Sequence, residues 1–333
     1  MRSPILTRGG TVQIFEDALR RYIGCEDVVV VTNGTAALHT ALLACGVVPG
    51  DEVIVPALTF VATAHAVLAA GALPIFVDVE PDTWLMRQPN VGAKTSVVMP
   101  VSFGGQPTWD GAKFMRPPML IEDACHAFGA LRKDDRRVGS SWCAVFSFHP
   151  VKAFTTLEGG AIAFDDPVLA ARARSIRDFG RVDGLAVRFG MNYHMDDVRA
   201  ALGLSQLKRL PHFLERRRAL ALEYTRLLKD VPVTLPRWDL ARCAWHLFPV
   251  LLPHGTDRDI LRAGLGAPGV GSSIHYSPIV PLHPLYQSLY GHQPGNFPTA
   301  EDIAAREISL PLHPGMEEGD VRTVVEALRV ALG

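Results

Sequence analysis

What this chain has little of narrows its function first. Lysine is scarce: Lys94, Lys113, Lys133, Lys152, Lys208 and Lys229 are the only six in 333 residues. Charge of one sign is not in excess either. The 33 Lys and Arg against 34 Asp and Glu leave a formal net charge of -1, so nothing global draws the chain to nucleic acid or to an anionic membrane. The arginines at Arg216-Arg217-Arg218, and those between Arg132 and Arg137, form short groups broken by apolar or acidic residues, which suits a solvated helix face or a turn. Cysteine is limited to Cys25, Cys45, Cys125, Cys143 and Cys243, odd in number and without paired spacing. That pattern argues for reduced thiols in a cytoplasmic compartment and against a disulfide scaffold. A metal site is not expected, because Cys125, His126, Cys143 and His149 lack the close pair spacing of zinc ligands.

Long hydrophobic runs are missing too. Residues 53–77 contain no Asp, Glu, Lys or Arg, but Pro56, Thr59, Thr63, His65, Gly71 and Pro74 interrupt them. The stretch reads as a buried strand, a short helix and a second buried strand rather than a membrane span. The first ten residues carry no apolar core of the kind a secretory signal needs.

What is present is an ordinary globular balance, 48% hydrophobic and 20% charged. Short apolar runs at 28–31, 53–55, 73–78, 97–101, 119–123, 144–148 and 161–164 read as strands. Helical spacing between them, at 35–45 and 60–70, implies βαβ units and a mostly parallel sheet. After Asp166 the pattern turns helical, over 167–177, 195–210 and 212–229. A strand at 246–252, a helix at 257–264 and a closing helix at 318–332 suggest a second, smaller α/β unit. The expected division is a large domain over 1–211 and a smaller one over 212–333. Gly264-Leu265-Gly266-Ala267-Pro268-Gly269 matches a dinucleotide fingerprint only in letters, since it follows a helix and not a strand.

Open α/β sheets place ligands at the carboxyl ends of their strands, and three segments there carry chemistry. Thr32-Asn33-Gly34-Thr35 joins a strand to a helix, so free amides and the Thr35 hydroxyl face an incoming anion; it also reads simply as a capped helix. Ile121-Glu122-Asp123 ends a hydrophobic strand in two carboxylates, unusual unless one has a partner. A carboxylate facing the ring nitrogen of pyridoxal phosphate keeps that nitrogen protonated, and Asp123 suits the role; a surface turn is the plainer alternative. Ser147 through Lys152 follows another core strand. There a lysine held against apolar walls loses proton affinity and becomes nucleophilic, while Ser147 is placed to meet a phosphate.

These segments, with Pro49-Gly50-Asp51-Glu52-Val53-Ile54-Val55-Pro56, Thr59-Phe60-Val61-Ala62-Thr63, Glu158-Gly159-Gly160, Asn192-Tyr193, His275-Tyr276 and Leu310-Pro311-Leu312-His313, resemble the DegT/StrS-type sugar aminotransferases. Those are pyridoxal phosphate enzymes of fold type I, and the likeness runs in the family's order along nearly the whole chain. The resemblance implies that Lys152 forms the internal aldimine and shuttles the proton, that Asp123 pairs with the pyridinium nitrogen, and that His126 lies near the ring and its 3′-oxygen. It implies that Phe60 stacks on the ring, that Gly34, Thr35 and Ser147 hold the phosphate, and that Tyr276 borders the substrate pocket. Asn192 would reach the phosphate site of a neighbouring subunit in a homodimer with shared active sites. The implied reaction moves an amino group from an amino acid, by analogy L-glutamate, to a nucleotide-linked keto-sugar. A lyase or dehydratase on the same scaffold, or a non-catalytic regulatory homologue, are the alternatives; Lys152 favours transamination, because relatives that dehydrate replace it with histidine. His194 departs from the family's usual Arg or Asn, and the chain looks shortened at 84–94 and 109–119.

Overall fold

The computed structural model describes residues 9–108, 119–267 and 269–333, so Lys113, Pro268 and most of the shortened stretch at 109–119 lie outside the described residues. The chain begins with α1 (Gly10–Ile23) and β1 (Asp27–Val31), followed by α2 (Gly34–Ala44), β2 (Glu52–Pro56), α3 (Val61–Ala69), β3 (Leu73–Val77) and β4 (Thr95–Val98). Next come β5 (Met119–Asp123), β6 (Cys143–Ser147), β7 (Gly160–Phe164) and α4 (Pro167–Arg177). A short hairpin of β8 (Arg181–Val182) and β9 (Leu185–Ala186) leads to α5 (Asp197–Leu227). The remainder holds β10 (Phe248–Leu251), α6 (Arg258–Gly266), α7 (Pro284–Tyr290), α8 (Pro298–Arg306), β11 (Glu307–Leu310) and α9 (Glu318–Leu332).

Seven strands form one sheet in the order β1-β7-β6-β5-β4-β2-β3. It is parallel from β3 to β6, and β7 runs antiparallel to both β6 and β1. Alternation along β1 shows why both faces are covered. Val29 and Val31 join the core shared with α2, α3 and α4, while Val28 and Val30 pack with Phe15 and Leu19 of α1 and Ala200 of α5. The uncharged stretch at 53–77 is β2, α3 and β3, as its interruptions indicate. No helix of the described residues is long and apolar enough to cross a membrane.

One helix lies outside the segments read above, and one reading is corrected. Over residues 10–23 α1 forms, with Val12, Phe15, Leu19 and Ile23 on one buried stripe. Its start is anchored from afar, because the Gly9 and Val12 amides donate to Asp197 Oδ1 at 3.1 and 3.3 Å. The expected break near Pro211 is absent: α5 is one helix of 31 residues with Pro211 inside it, so the expected domain division at 211/212 falls within a continuous element. Proline removes one helical hydrogen bond there, and burial of Leu210, Arg217, Leu220 and Tyr224 against the body holds the helix across the defect. Beyond α5, β10 and β11 pair antiparallel and α6 and α9 pack together beside them. Gly264, Leu265 and Gly266 lie in the last turn of α6 and not in a loop after it, and no strand leads into them as a dinucleotide fold requires.

Candidate active site

A cavity of about 500 Å³ opens at the carboxyl ends of β1, β5 and β6. It is lined by Gly34, Thr35, Phe60, Asp123, His126, Ser147, Lys152 and Tyr276, so eight of the nine residues singled out above meet in one place. The ninth, Asn192, is not among its lining residues; it is exposed and bridges to Asp178. His194 also turns to Asp178, with Nε2 3.0 Å from Oδ1.

At one end of the cavity, Asn33 caps α2 by accepting from the Ala36 amide at 2.8 Å, which leaves earlier first-turn amides for an anion. Gly34 is pressed against Ser147: a Cβ there would lie 2.8 Å from Ser147 Cβ and 3.1 Å from its Oγ. Only glycine lets the helix start and the serine hydroxyl face the same spot. Ser147 Oγ accepts from the His149 amide at 3.4 Å, so its own hydrogen remains to be donated. The Gly159-Gly160 pair serves the same close packing, since a Cβ on Gly160 would stand 2.4 Å from the Asn33 carbonyl oxygen.

The middle of the cavity holds Asp123 as a fixed acceptor. Thr63 Oγ1 donates to Asp123 Oδ2 at 2.8 Å and in turn accepts from Thr59 Oγ1 at 2.8 Å. The Cys125 amide donates to Asp123 Oδ1 at 3.2 Å. Glu122 leaves the other face of β5, where it pairs with buried Arg132 and accepts from Ser102 Oγ (2.5 Å) and Thr108 Oγ1 (3.0 Å). Lys152 follows a tight turn, its amide donating to the His149 carbonyl at 2.9 Å. Burial lowers its pKa from the ordinary lysine value, and the neighbouring Cys125 and Asp123 oppose that shift.

The far wall contains a group of histidines. His126 Nδ1 accepts the Gly104 amide at 3.2 Å, so its hydrogen sits on Nε2 and points to Tyr276 Oη, 3.2 Å away. Burial, then the charge of Lys152, hold His126 well below the usual histidine range, and hence neutral. The His246 ring lies against it, tilted by 52° with centroids 4.4 Å apart, and is kept neutral by burial in the same way. Arg217 Nη1 fixes the segment carrying His246, donating to the carbonyls of Trp245 (3.0 Å), His246 (3.3 Å) and Leu312 (3.0 Å). Phe60, exposed at the start of α3, lies 5.6 Å from the Tyr276 ring.

Sequence reasoning missed Thr63, Cys125, His246 and His275 as cavity residues. Thr63 had a signal, one helical turn beyond Thr59 at a strand end; His246 and His275 reach the cavity only through tertiary packing. Among the described residues, no three His, Cys, Asp or Glu side chains are placed to hold a metal ion.

The residues present fit pyridoxal phosphate: an amide-and-hydroxyl cradle for a dianion, a buried carboxylate acceptor and a lysine of lowered proton affinity share one cavity. A family model described as the DegT/DnrJ/EryC1/StrS aminotransferase family matches residues 1–329. Among solved structures, S. venezuelae DesV in complex with a ketimine intermediate is 33% identical with a TM-score of 0.91, covering 98% of this chain and 91% of that one. Streptococcus pneumoniae Spr1654 in its PLP form is 27% identical, with a TM-score of 0.91 over 99% and 93% of the two chains. DesI in the presence of its TDP-sugar product is 33% identical, with a TM-score of 0.87 over 98% and 86%. The chain therefore belongs to the DegT/DnrJ/EryC1/StrS aminotransferase family and is a pyridoxal-phosphate-dependent aminotransferase.

Proposed function

We propose that this enzyme moves an amino group from an amino acid, L-glutamate, to the ketone of a nucleotide-linked sugar. The observation that carries the reading is the convergence of Gly34, Ser147, Asp123 and Lys152 on one cavity of about 500 Å³. When bound, pyridoxal phosphate supplies an electron sink for the carbon attached to the transferred nitrogen. Gly34, Thr35 and Ser147 bind its phosphate, Asp123 holds the proton on its ring nitrogen, Phe60 covers the ring, and neutral His126 lies beside it. Lys152 Nζ is the point of covalent attachment. Once released, it is the base that takes a proton from the donor carbon and returns one to the sugar carbon, a task its lowered proton affinity suits. Tyr276 borders the substrate; with His126 Nε2–H donating to its oxygen, the tyrosine hydrogen is left to donate into the cavity.

The sugar assignment is supported by DesI and its TDP-sugar product. Room for a nucleotide is also present, because a second, more open groove of about 770 Å³ shares Val151, His246 and His275 with the cofactor cavity. A homodimer is part of the same proposal, with Asn192 reaching the neighbouring subunit's phosphate site. Asn192 is exposed, and Phe179, Leu185, Val187, Phe189 and Met191 around it present apolar side chains to solvent, a surface suited to a second copy. The described cysteines are free thiols, in keeping with a cytoplasmic location.

The test is a two-stage turnover. Enzyme loaded with cofactor and given L-glutamate alone is expected to release 2-oxoglutarate stoichiometrically. Adding a panel of nucleotide keto-sugars is then expected to give an amino sugar, detected by mass spectrometry. Absence of 2-oxoglutarate refutes the donor, and a panel without any aminated product refutes the acceptor.

A further inference from the structure

On the wall of the cavity, His275 is tied to a carboxyl that no step above uses. His275 Nδ1 lies 2.9 Å from Ser309 Oγ, and Ser309 Oγ donates to Glu307 Oε1 at 2.5 Å. The second oxygen, Glu307 Oε2, accepts the His275 backbone amide at 2.7 Å. Glu307 is wholly buried, and Ser309 nearly so. Because the serine hydrogen is committed to Glu307, the 2.9 Å contact needs a hydrogen on Nδ1, which leaves the Nε2 lone pair of His275 unprotonated. His275 lines both the cofactor cavity and the adjoining open groove, so it stands where a substrate passes from one to the other.

We propose that Glu307, Ser309 and His275 form a proton relay between the substrate cavity and a buried carboxyl. A hydroxyl or ammonium of the substrate gives its proton to His275 Nε2. The imidazole passes its Nδ1 hydrogen to Ser309 Oγ, and Ser309 passes its own hydrogen to Glu307 Oε1. One O–H or N–H bond breaks on the substrate and one O–H bond forms on Glu307. Ser309 remains a hydroxyl and His275 remains neutral, its hydrogen now on Nε2; the reverse sequence returns the proton. Glu307 and Ser309 are positioning residues here, since only His275 meets the substrate. Conversion of a ketone to an amine expels its oxygen as water, and that step needs a proton delivered to a hydroxyl, which the charged relay supplies.

The surroundings suit such a store. Arg258 and Arg262 of α6 and Tyr276 lie near Glu307, and burial, opposed by the two arginines, raises this carboxyl to about 7. His275 faces Lys152, His126 and His246; burial, then Lys152, lower it to about 4, so an imidazolium is disfavoured and a proton entering at Nε2 is passed on.

The substrate role rests on the proposed function, but the relay itself is testable without cofactor or substrate, so the two fail separately. Protein labelled with 15N-histidine and free of cofactor is examined by NMR between about pH 6 and 9, with His275 assigned by comparison with His275→Gln. The Nδ1–H tautomer is expected at high pH, converting to Nε2–H as Glu307 takes up a proton near 7. Glu307→Gln is expected to hold Nε2–H throughout. Its amide oxygen keeps the backbone contact, and its NH2 donates to Ser309, which then donates to Nδ1. Should that variant not fold, Ser309→Ala is expected to abolish the pH-dependent exchange. A wild-type tautomer that stays unchanged over this range, or a variant that follows the wild-type pH course, overturns the relay.

Discussion

Thr63 Oγ1 donates a 2.8 Å hydrogen bond to Asp123 Oδ2, and this contact orients the carboxylate assigned to the cofactor ring. Thr63→Val keeps the volume of the side chain and removes the donor. A hydrogen bond to a charged acceptor contributes about 1.5–3 kcal/mol, so kcat/KM is expected to fall about 10- to 100-fold. Asp123→Asn, which keeps the shape and removes the charge, is expected to cost more in kcat. Steady-state kinetics on both variants checks the order; equal activity of Thr63→Val and wild type would show that Asp123 needs no support.

Lys152→Ala is expected to lose the visible absorption band that wild-type protein gains on addition of pyridoxal phosphate. Turnover should fall at least about a thousandfold, since the proposed function makes the same nitrogen both attachment point and proton carrier. A spectrophotometric titration decides the point. Retention of the band in Lys152→Ala would place the covalent attachment elsewhere.

Gly34→Ala tests the phosphate cradle. Gly34 is the first residue of α2, where alanine adopts the backbone conformation readily, so the space beside it decides the outcome. The added methyl would meet Ser147 Cβ at 2.8 Å and push the serine from the helix start. Cofactor affinity measured by fluorescence quenching is expected to drop about tenfold or more, and the melting temperature of the cofactor-free protein to fall with it, because Ser147 Cβ moves only with the backbone of β6.

Much of this site was readable in residue order, and the reason lies in topology. Strands of a parallel sheet end on one side, so Thr35, Asp123, Ser147 and Lys152, each at or just past the end of a core strand, converge without long-range information. Two carboxylates ending β5 signalled a partner, and each proves to have one. What stayed hidden was direction: alternation sends Glu122 to Arg132 and Asp123 to Thr63, and no local pattern says which face holds the cavity. His246 and His275 were illegible for a different cause. They arrive from the chain's last third, fixed by Arg217 on α5 and by Ser309 on β11, contacts that no spacing encodes. The helix α1 did carry a readable stripe of Val12, Phe15, Leu19 and Ile23, but its glycine-led start lacks a capping side chain, and its anchor is the distant Asp197.

The two carboxylates of β5 should also separate stability from function. Glu122→Gln removes the carboxylate that pairs with Arg132, 2% exposed, and breaking a buried pair on one side costs about 3–5 kcal/mol. Asp123→Asn removes the carboxylate beside Lys152, but burial already lowers the proton affinity of that lysine, which can turn neutral where Arg132 cannot, so the loss of stability is expected to be smaller than for Glu122→Gln. Urea denaturation of the cofactor-free proteins distinguishes them. Equal losses would mean that Asp123, too, serves mainly the fold.

Stability should respond to pH through Glu307. Its carboxyl is raised from the usual 4.5 to about 7 by burial, so between these values the folded protein binds a proton that the unfolded chain has released. Stability therefore falls as pH rises from about 4.5 to 7 and levels off above, the full cost being about 3 kcal/mol. His275 works in the other direction. Burial lowers it from 6.5 to about 4, so its contribution is lost as pH falls through that window. The wild-type profile thus mixes two opposed slopes, and the variant isolates one of them. Glu307→Gln cannot ionise, so its stability relative to wild type is expected to improve by up to about 3 kcal/mol between pH 5 and 8, whatever constant penalty its altered hydrogen bonds impose. Urea midpoints at several pH values give that difference directly. A difference that does not vary with pH would mean that Glu307 ionises alike in the folded and unfolded chain, and the buried carboxyl would then hold no proton at neutral pH for His275 to receive.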